Sequence, residues 1–119
     1  MLNKEERMRK VAVFTFMGDR MCFTHALLNA IEMKESGIEV KLILEGKSVA
    51  LLEDFIEEKN PLFQKTITMG IMDGVCRACS DQMGVLSYNE QSGIQLLDEL
   101  KGHPSMARYI DEGFEIITL

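Results

Sequence analysis

Short, unbroken apolar runs alternate along this chain with stretches that repeat at helical spacing. Residues 11–16 (VAVFTF) are β-branched and aromatic, show little polar alternation and stop at Gly18-Asp19. Such a run is the pattern of a strand buried on both faces, as in a parallel sheet. Asp19 stands where a helix N-cap is wanted, and over residues 20–36 Phe23, Ala26, Leu27, Ala30 and Ile31 recur at helical spacing. Gly37 follows where a helix end favours positive φ. Residues 38–44 (IEVKLIL) predict a second strand, closed by Gly46. A second helix is expected over about residues 47–58, with Leu51, Leu52, Phe55 and Ile56 inward. Glu53, Asp54, Glu57 and Glu58 would form its solvated acidic face.

Asn60-Pro61 interrupts the chain, with Pro61 suited to a first helical position. Residues 62–72 predict another helix, although Thr66, Ile67 and Thr68 are weak helix formers. Asp73-Gly74 reads as a turn before a brief apolar step into GVCRACSDQMGV, residues 74–85. A helix is expected around residues 94–100, then a turn at residues 102–105 from which Pro104 opens a short helix to about Glu112. Residues 114–119 (FEIITL) predict a closing strand. Strand–helix alternation of this kind implies an α/β fold with a parallel sheet between helices, and sites at the C-terminal ends of the strands. No repeat, low-complexity tract or flexible linker divides the chain, so residues 1–119 are expected to form one domain.

Composition narrows the function. The 119 residues are 46% hydrophobic, which suits one small globular core. A formal charge of −6 disfavours binding to a run of phosphates, so no nucleic-acid partner is expected. The opening segment MLNKEERMRK lacks the apolar stretch of a signal peptide, and residues 11–18 are too short to span a membrane. The expected location is the cytoplasm, with reduced thiols and no membrane partner. Nine methionines read as core fillers. The loop after the first strand, Met17-Gly18-Asp19-Arg20, carries neither the glycine-rich dinucleotide fingerprint nor a phosphate loop, and no G-x-S-x-G elbow occurs.

Chemistry concentrates in Cys76-Arg77-Ala78-Cys79. Two cysteines three positions apart share a helical turn or straddle a strand–helix junction, where free N–H groups and the helix dipole favour a thiolate. Arg77 would add positive charge and Asp81 would partly oppose it. A thiolate is both nucleophile and metal ligand, and two small buried hydrophobes remain the structural alternative. Cys22 and His25 have the same i, i+3 spacing near the end of the first strand. If that strand neighbours the one before Cys76, then Cys22, His25, Cys76 and Cys79 would make a tetrahedral ligand set for zinc or iron; packing of helix one is the other reading of Cys22 and His25. Asp73 is a candidate orienting or capping residue, His103 an N-cap or turn residue with a catalytic or pH-sensing alternative, and Tyr88 and Tyr109 partly buried packing residues.

The leading strand KVAVFTF, the helix beginning soon after Gly18, the IEVKLIL strand, the stretch from Val75 to Gly84 and the terminal GFEIIT strand together resemble the DsrE/DsrF-like family over nearly the whole chain. The resemblance implies a three-layer α/β/α sandwich with a mostly parallel sheet, assembled as a homo-oligomer (dimer, trimer or hexamer). It also implies sulfur relay, with a persulfide carried on the motif cysteine, Cys76, between donor and acceptor proteins and with no cofactor. The second cysteine, Cys79, departs from the simple carrier pattern, because it can resolve a persulfide on Cys76 to a disulfide. Three readings follow: a sulfurtransferase-like relay protein, a zinc or iron module, and a non-catalytic oligomeric interaction protein.

Overall fold

The computed structural model describes residues 8–119; residues 1–7, most of the segment read above as unlike a signal peptide, lie outside that range. The strands are β1 (Lys10–Thr15), β2 (Glu39–Leu44), β3 (Met72–Cys76), β4 (Leu96–Leu97) and β5 (Glu115–Thr118). The helices are α1 (Arg20–Glu35), α2 (Leu51–Glu57), α3 (Pro61–Thr68), α4 (Arg77–Gln82), α5 (Leu86–Gln91) and α6 (Met106–Asp111), with a 3-10 turn at Gly46–Ala50. All five strands lie in one sheet, in the order β4-β3-β2-β1-β5, and every neighbouring pair is parallel. The expected α/β sandwich is therefore present, with helices on both sides of the sheet.

The unalternating β1 run has a direct cause. Val11 and Val13 join a core cluster with Phe23 and Leu27 of α1, Phe55 of α2 and Phe63 of α3. Ala12 and Phe14 point the other way, into a smaller cluster with Ile43, Leu97, Tyr109 of α6 and Phe114. Edge-to-face rings tie each layer: Phe23 and Phe55 at 4.9 Å between centroids, Phe14 and Tyr109 at 5.4 Å. Each such side chain contributes about 1.5–3 kcal/mol by leaving water.

Asp19 caps α1 by accepting from the Cys22 N–H at 2.9 Å. The Asn60 carboxamide caps α3, and Pro61 is its first residue. Gly37 follows α1 with φ of 91°. The acidic face of α2 is solvated and partly paired: Glu58 with Arg20 at 2.6 Å, Glu57 accepting from the Tyr88 hydroxyl at 2.8 Å.

Five expectations are corrected. Residues 47–50 form a 3-10 turn because Gly46, at φ of 55°, and the Lys47 N–H, bonded to Phe16 O, bend the chain against the loop after β1. The helix expected to reach residue 72 ends at Thr68, where Gly70 adopts φ of 73° and Ile71 N–H turns back to Thr66 O. Asp73 and Gly74 thus lie in β3, and Gly74 is needed there: a Cβ would sit 2.5 Å from Leu97 Cγ and 2.8 Å from Gln95 O. The helix expected at residues 94–100 is absent, because Leu96 and Leu97 pair with Val75 and Cys76 at the sheet edge; the helix of this region is α5. Pro104 precedes α6, whose cap is Ser105, accepting from Arg108 N–H. No helix among the described residues is long and apolar enough to cross a membrane.

Candidate functional site

Strand β3 ends at Cys76 and α4 begins at Arg77, so Cys76 occupies the junction itself. Its Sγ accepts from the Cys79 N–H at 3.3 Å, and the three-residue spacing brings the Cys79 thiol round to the same turn. A chain of buried hydrogen bonds holds this backbone. The Ser80 hydroxyl donates to Cys76 O at 2.6 Å and accepts from Asn89 Nδ2 at 2.9 Å. Asn89 Nδ2 also donates to Val49 O at 3.1 Å, tying α4 and α5 to the turn that follows β2.

Glu45 lies between β2 and that turn. Leu44 pairs with Val75, so the next residue on each strand, Glu45 and Cys76, stand side by side at the C-terminal edge of the sheet. The Glu45 side chain is only 10% exposed. Burial raises its pKa, while His103 and Cys76 pull in the opposite direction.

His103 arrives from the far side of β4. Leu100 and His103 exchange both backbone hydrogen bonds, at 2.7 and 2.8 Å, around Lys101 and Gly102 with φ of 48° and 92°. Positive φ at both central residues is the signature of a tight two-residue turn of the primed type. Gly102 O accepts from the Ala78 N–H at 2.8 Å, which docks the turn on α4. His103 Nδ1 consequently lies 3.2 Å from Cys76 Sγ, 3.9 Å from Cys79 Sγ and 3.6 Å from Glu45 Oε1. One ligand-type atom from each of Glu45, Cys76, Cys79 and His103 lies within 4.8 Å of all the others.

The two thiols differ. Cys76 is fully buried, and burial pushes its thiol up to about 12, only partly countered by the Cys79 N–H. Cys79 is half-buried. Arg77 is exposed and α4 is only six residues long, while burial works against the thiolate expected at Cys76. Asp81 is likewise exposed.

Cys22 and His25 are not members of the cluster. They were to join it if β1 neighboured β3, but β2 lies between them, and two strand spacings amount to about 9.5 Å. Both residues are exposed and line a separate depression of about 410 Å³ with Met17, Met21, Asn29 and Leu119. Asp73 accepts a hydrogen bond from the hydroxyl of the buried Tyr109 and faces Lys41 at 3.9 Å, away from the thiols. Tyr88 is half-buried, as expected.

Glu45 has no place in the sequence reading, and His103, read there as a turn residue with a catalytic or pH-sensing alternative, has no link in it to the two thiols. Their signals in the sequence were faint: an acidic residue closing an otherwise apolar strand, and a histidine directly after Lys-Gly.

Fold and site together define a parallel α/β protein with a Cys-Cys-His-Glu cluster at the C-terminal edge of its sheet. No model of a known protein family matches the chain. The chain belongs to the family of the uncharacterized protein MJ0733 of Methanocaldococcus jannaschii, to which it is 39% identical over 98 residues, covering 80% of this chain and 78% of that protein. An uncharacterized protein of Archaeoglobus fulgidus is 46% identical over 43 residues, 36% of this chain and 70% of that one. The structure of a conserved protein of unknown function from Bacteroides thetaiotaomicron, BT1422, superposes with a TM-score of 0.71 over 92% of this chain and 94% of that chain. At 20% identity that likeness shows the fold alone.

Proposed function

We propose that this chain is a thiol-based sulfur-handling protein of the DsrE/DsrF type, a persulfide carrier or sulfurtransferase-like relay working through Cys76 and Cys79. The observation that carries the reading is that both thiols share one turn of α4 and one imidazole, that of His103. The resemblance assigns the sulfane sulfur to Cys76; burial of Cys76 favours Cys79 as the acceptor and Cys76 as the resolving thiol. The Cys79 thiol gives its proton to His103, and the resulting thiolate attacks the outer sulfur of a donor persulfide, the donor leaving as a thiolate. The Cys79 persulfide is then passed to an acceptor thiolate, regenerating Cys79. Alternatively the Cys76 thiol attacks Cys79 Sγ, giving the Cys76–Cys79 disulfide and hydrogen sulfide, and an external dithiol reduces the disulfide.

The setting that goes with this reading is a cytoplasmic homo-oligomer, a dimer, trimer or hexamer, meeting separate donor and acceptor proteins. The test is to load reduced protein with a small persulfide donor and read the added mass of one sulfur atom. Cys79→Ser should abolish the adduct and Cys76→Ser should retain it. The opposite pattern restores the family assignment of Cys76 as carrier, and an adduct insensitive to both substitutions refutes the sulfur reading in favour of packing thiols. Light scattering at micromolar concentration tests the assembly, which a monomer would contradict.

A further inference from the structure

We propose that Cys76, Cys79, His103 and Glu45 form a binding site for a zinc ion in the reduced protein. The inference stands apart from the sulfur reading: it uses the same two thiols, but it requires Glu45 and His103 as ligands and needs no sulfur donor.

Three observations carry it. The first is donor chemistry. Two thiols, one imidazole and one carboxylate are each an accepted zinc ligand, and four protein ligands close a tetrahedral site. The second is distance. Tetrahedral donors at ordinary zinc bond lengths stand about 3.3–3.8 Å from one another. His103 Nδ1 already stands 3.2 and 3.9 Å from the two sulfurs and 3.6 Å from the Glu45 carboxylate oxygen, and every donor pair lies within 4.8 Å. Closing round an ion therefore shortens no donor pair by more than about 1.5 Å, a small side-chain movement.

The third observation is the charge around Glu45. A buried carboxylate normally has a cation or a set of donors as partner. Among the described residues the ion-pair partner of Glu45 is His103, and no lysine or arginine reaches it. A dication between Glu45 and the thiols supplies the missing positive charge. Coordination exchanges the two S–H protons for metal–sulfur bonds and releases them to solvent, with no change in oxidation state.

The support behind the ligands is of the kind such sites use. The Ser80–Asn89 hydrogen-bond chain fixes the Cys76 backbone, and Gly102 O on Ala78 N–H fixes the turn carrying His103. His103 is 44% exposed through its ring, which leaves the nitrogen opposite Nδ1 free to bond water.

The experiment titrates reduced, metal-free, full-length protein with cobalt(II) as the spectroscopic probe, followed by displacement with zinc. One equivalent should give the ligand-field absorption of tetrahedral cobalt together with thiolate-to-cobalt charge transfer, both erased by one equivalent of zinc. Loss of a direct ligand should weaken binding more than loss of an outer-shell partner does, so Cys76→Ser and His103→Ala should each raise Kd on the order of 100-fold or more. Glu45→Gln should also weaken binding, whereas Cys22→Ser and His25→Ala should leave it unchanged. Absence of a tetrahedral cobalt spectrum overturns the proposal. So does a spectrum unaltered in both His103→Ala and Glu45→Gln, two variants whose folding is checked by circular dichroism. Sulfur uptake is measured separately without metal, so failure of either reading leaves the other distinguishable.

Discussion

His103 Nδ1 stands 3.2 Å from Cys76 Sγ across 27 positions of sequence. The contact is made by a tight turn at Lys101-Gly102 that docks on α4, and it converts a pair of cysteines into a four-residue cluster. Most of the consequences that can be measured follow from how deeply the members of that cluster are buried.

The three thiols should react in a defined order. Cys22 is exposed, Cys79 half-buried and Cys76 fully buried. A thiol titrating near 12 in place of 9.0 also offers about a thousandth of the thiolate at neutral pH. Native, reduced, metal-free protein treated with iodoacetamide should therefore label Cys22 and Cys79 well before Cys76, by peptide mass mapping. In denaturant all three should label alike. Equal native rates at Cys76 and Cys22 would contradict the burial.

Glu45 makes the metal-free fold pH-sensitive with a stated sign. Burial raises its folded pKa above the ordinary value of 4.5, so on raising pH the unfolded chain gives up this proton first. The folded state then holds more protons than the unfolded state, and stability falls as pH rises through the interval between the two values. Glu45→Gln removes the buried charge. It should raise Tm at pH 7 in the presence of chelator and flatten the pH dependence above 4.5. A lower Tm for the variant at pH 7 would show that the carboxylate stabilises the metal-free fold.

Gly74 is the point at which the sheet edge is most sensitive to one methyl group. An added Cβ would meet Leu97 Cγ at 2.5 Å and Gln95 O at 2.8 Å, the second of these being backbone. Gly74→Ala should destabilise by about 1–3 kcal/mol, the range of overpacked cores, measured as a lower urea midpoint with an unchanged slope. Because β4 leads into the turn that carries His103, the same variant should label faster at Cys76 in the native state. An unchanged midpoint would mean that β4 is not seated on β3 as described.

Much of the fold was legible along the chain because parallel strands and amphipathic helices leave local marks. The run at Val11–Phe14 is apolar without alternation since its residues feed two cores, and α1 shows its buried stripe at Phe23, Leu27 and Ile31. The misread regions are those in which a tertiary contact overrides local preference. Gly74 looks like a turn residue until Leu97 is seen against it, and Leu96 and Leu97 sit in a helix-like stretch until Val75 and Cys76 offer them a strand to pair with.

The run of strands and helices, the capping of α1 and α3 and the two cysteines on one turn all depend on residues a few positions apart and could be read along the chain. What stands beside those cysteines came from the packing of the sheet. Strand order set β2 between β1 and β3, which parted Cys22 and His25 from the pair and brought Glu45 to it instead. The turn at Lys101-Gly102 then delivered His103 from 24 residues beyond Cys79. The neighbours of a strand are chosen by the packing of the whole sheet, and that choice leaves no mark in the spacing of the residues it brings together.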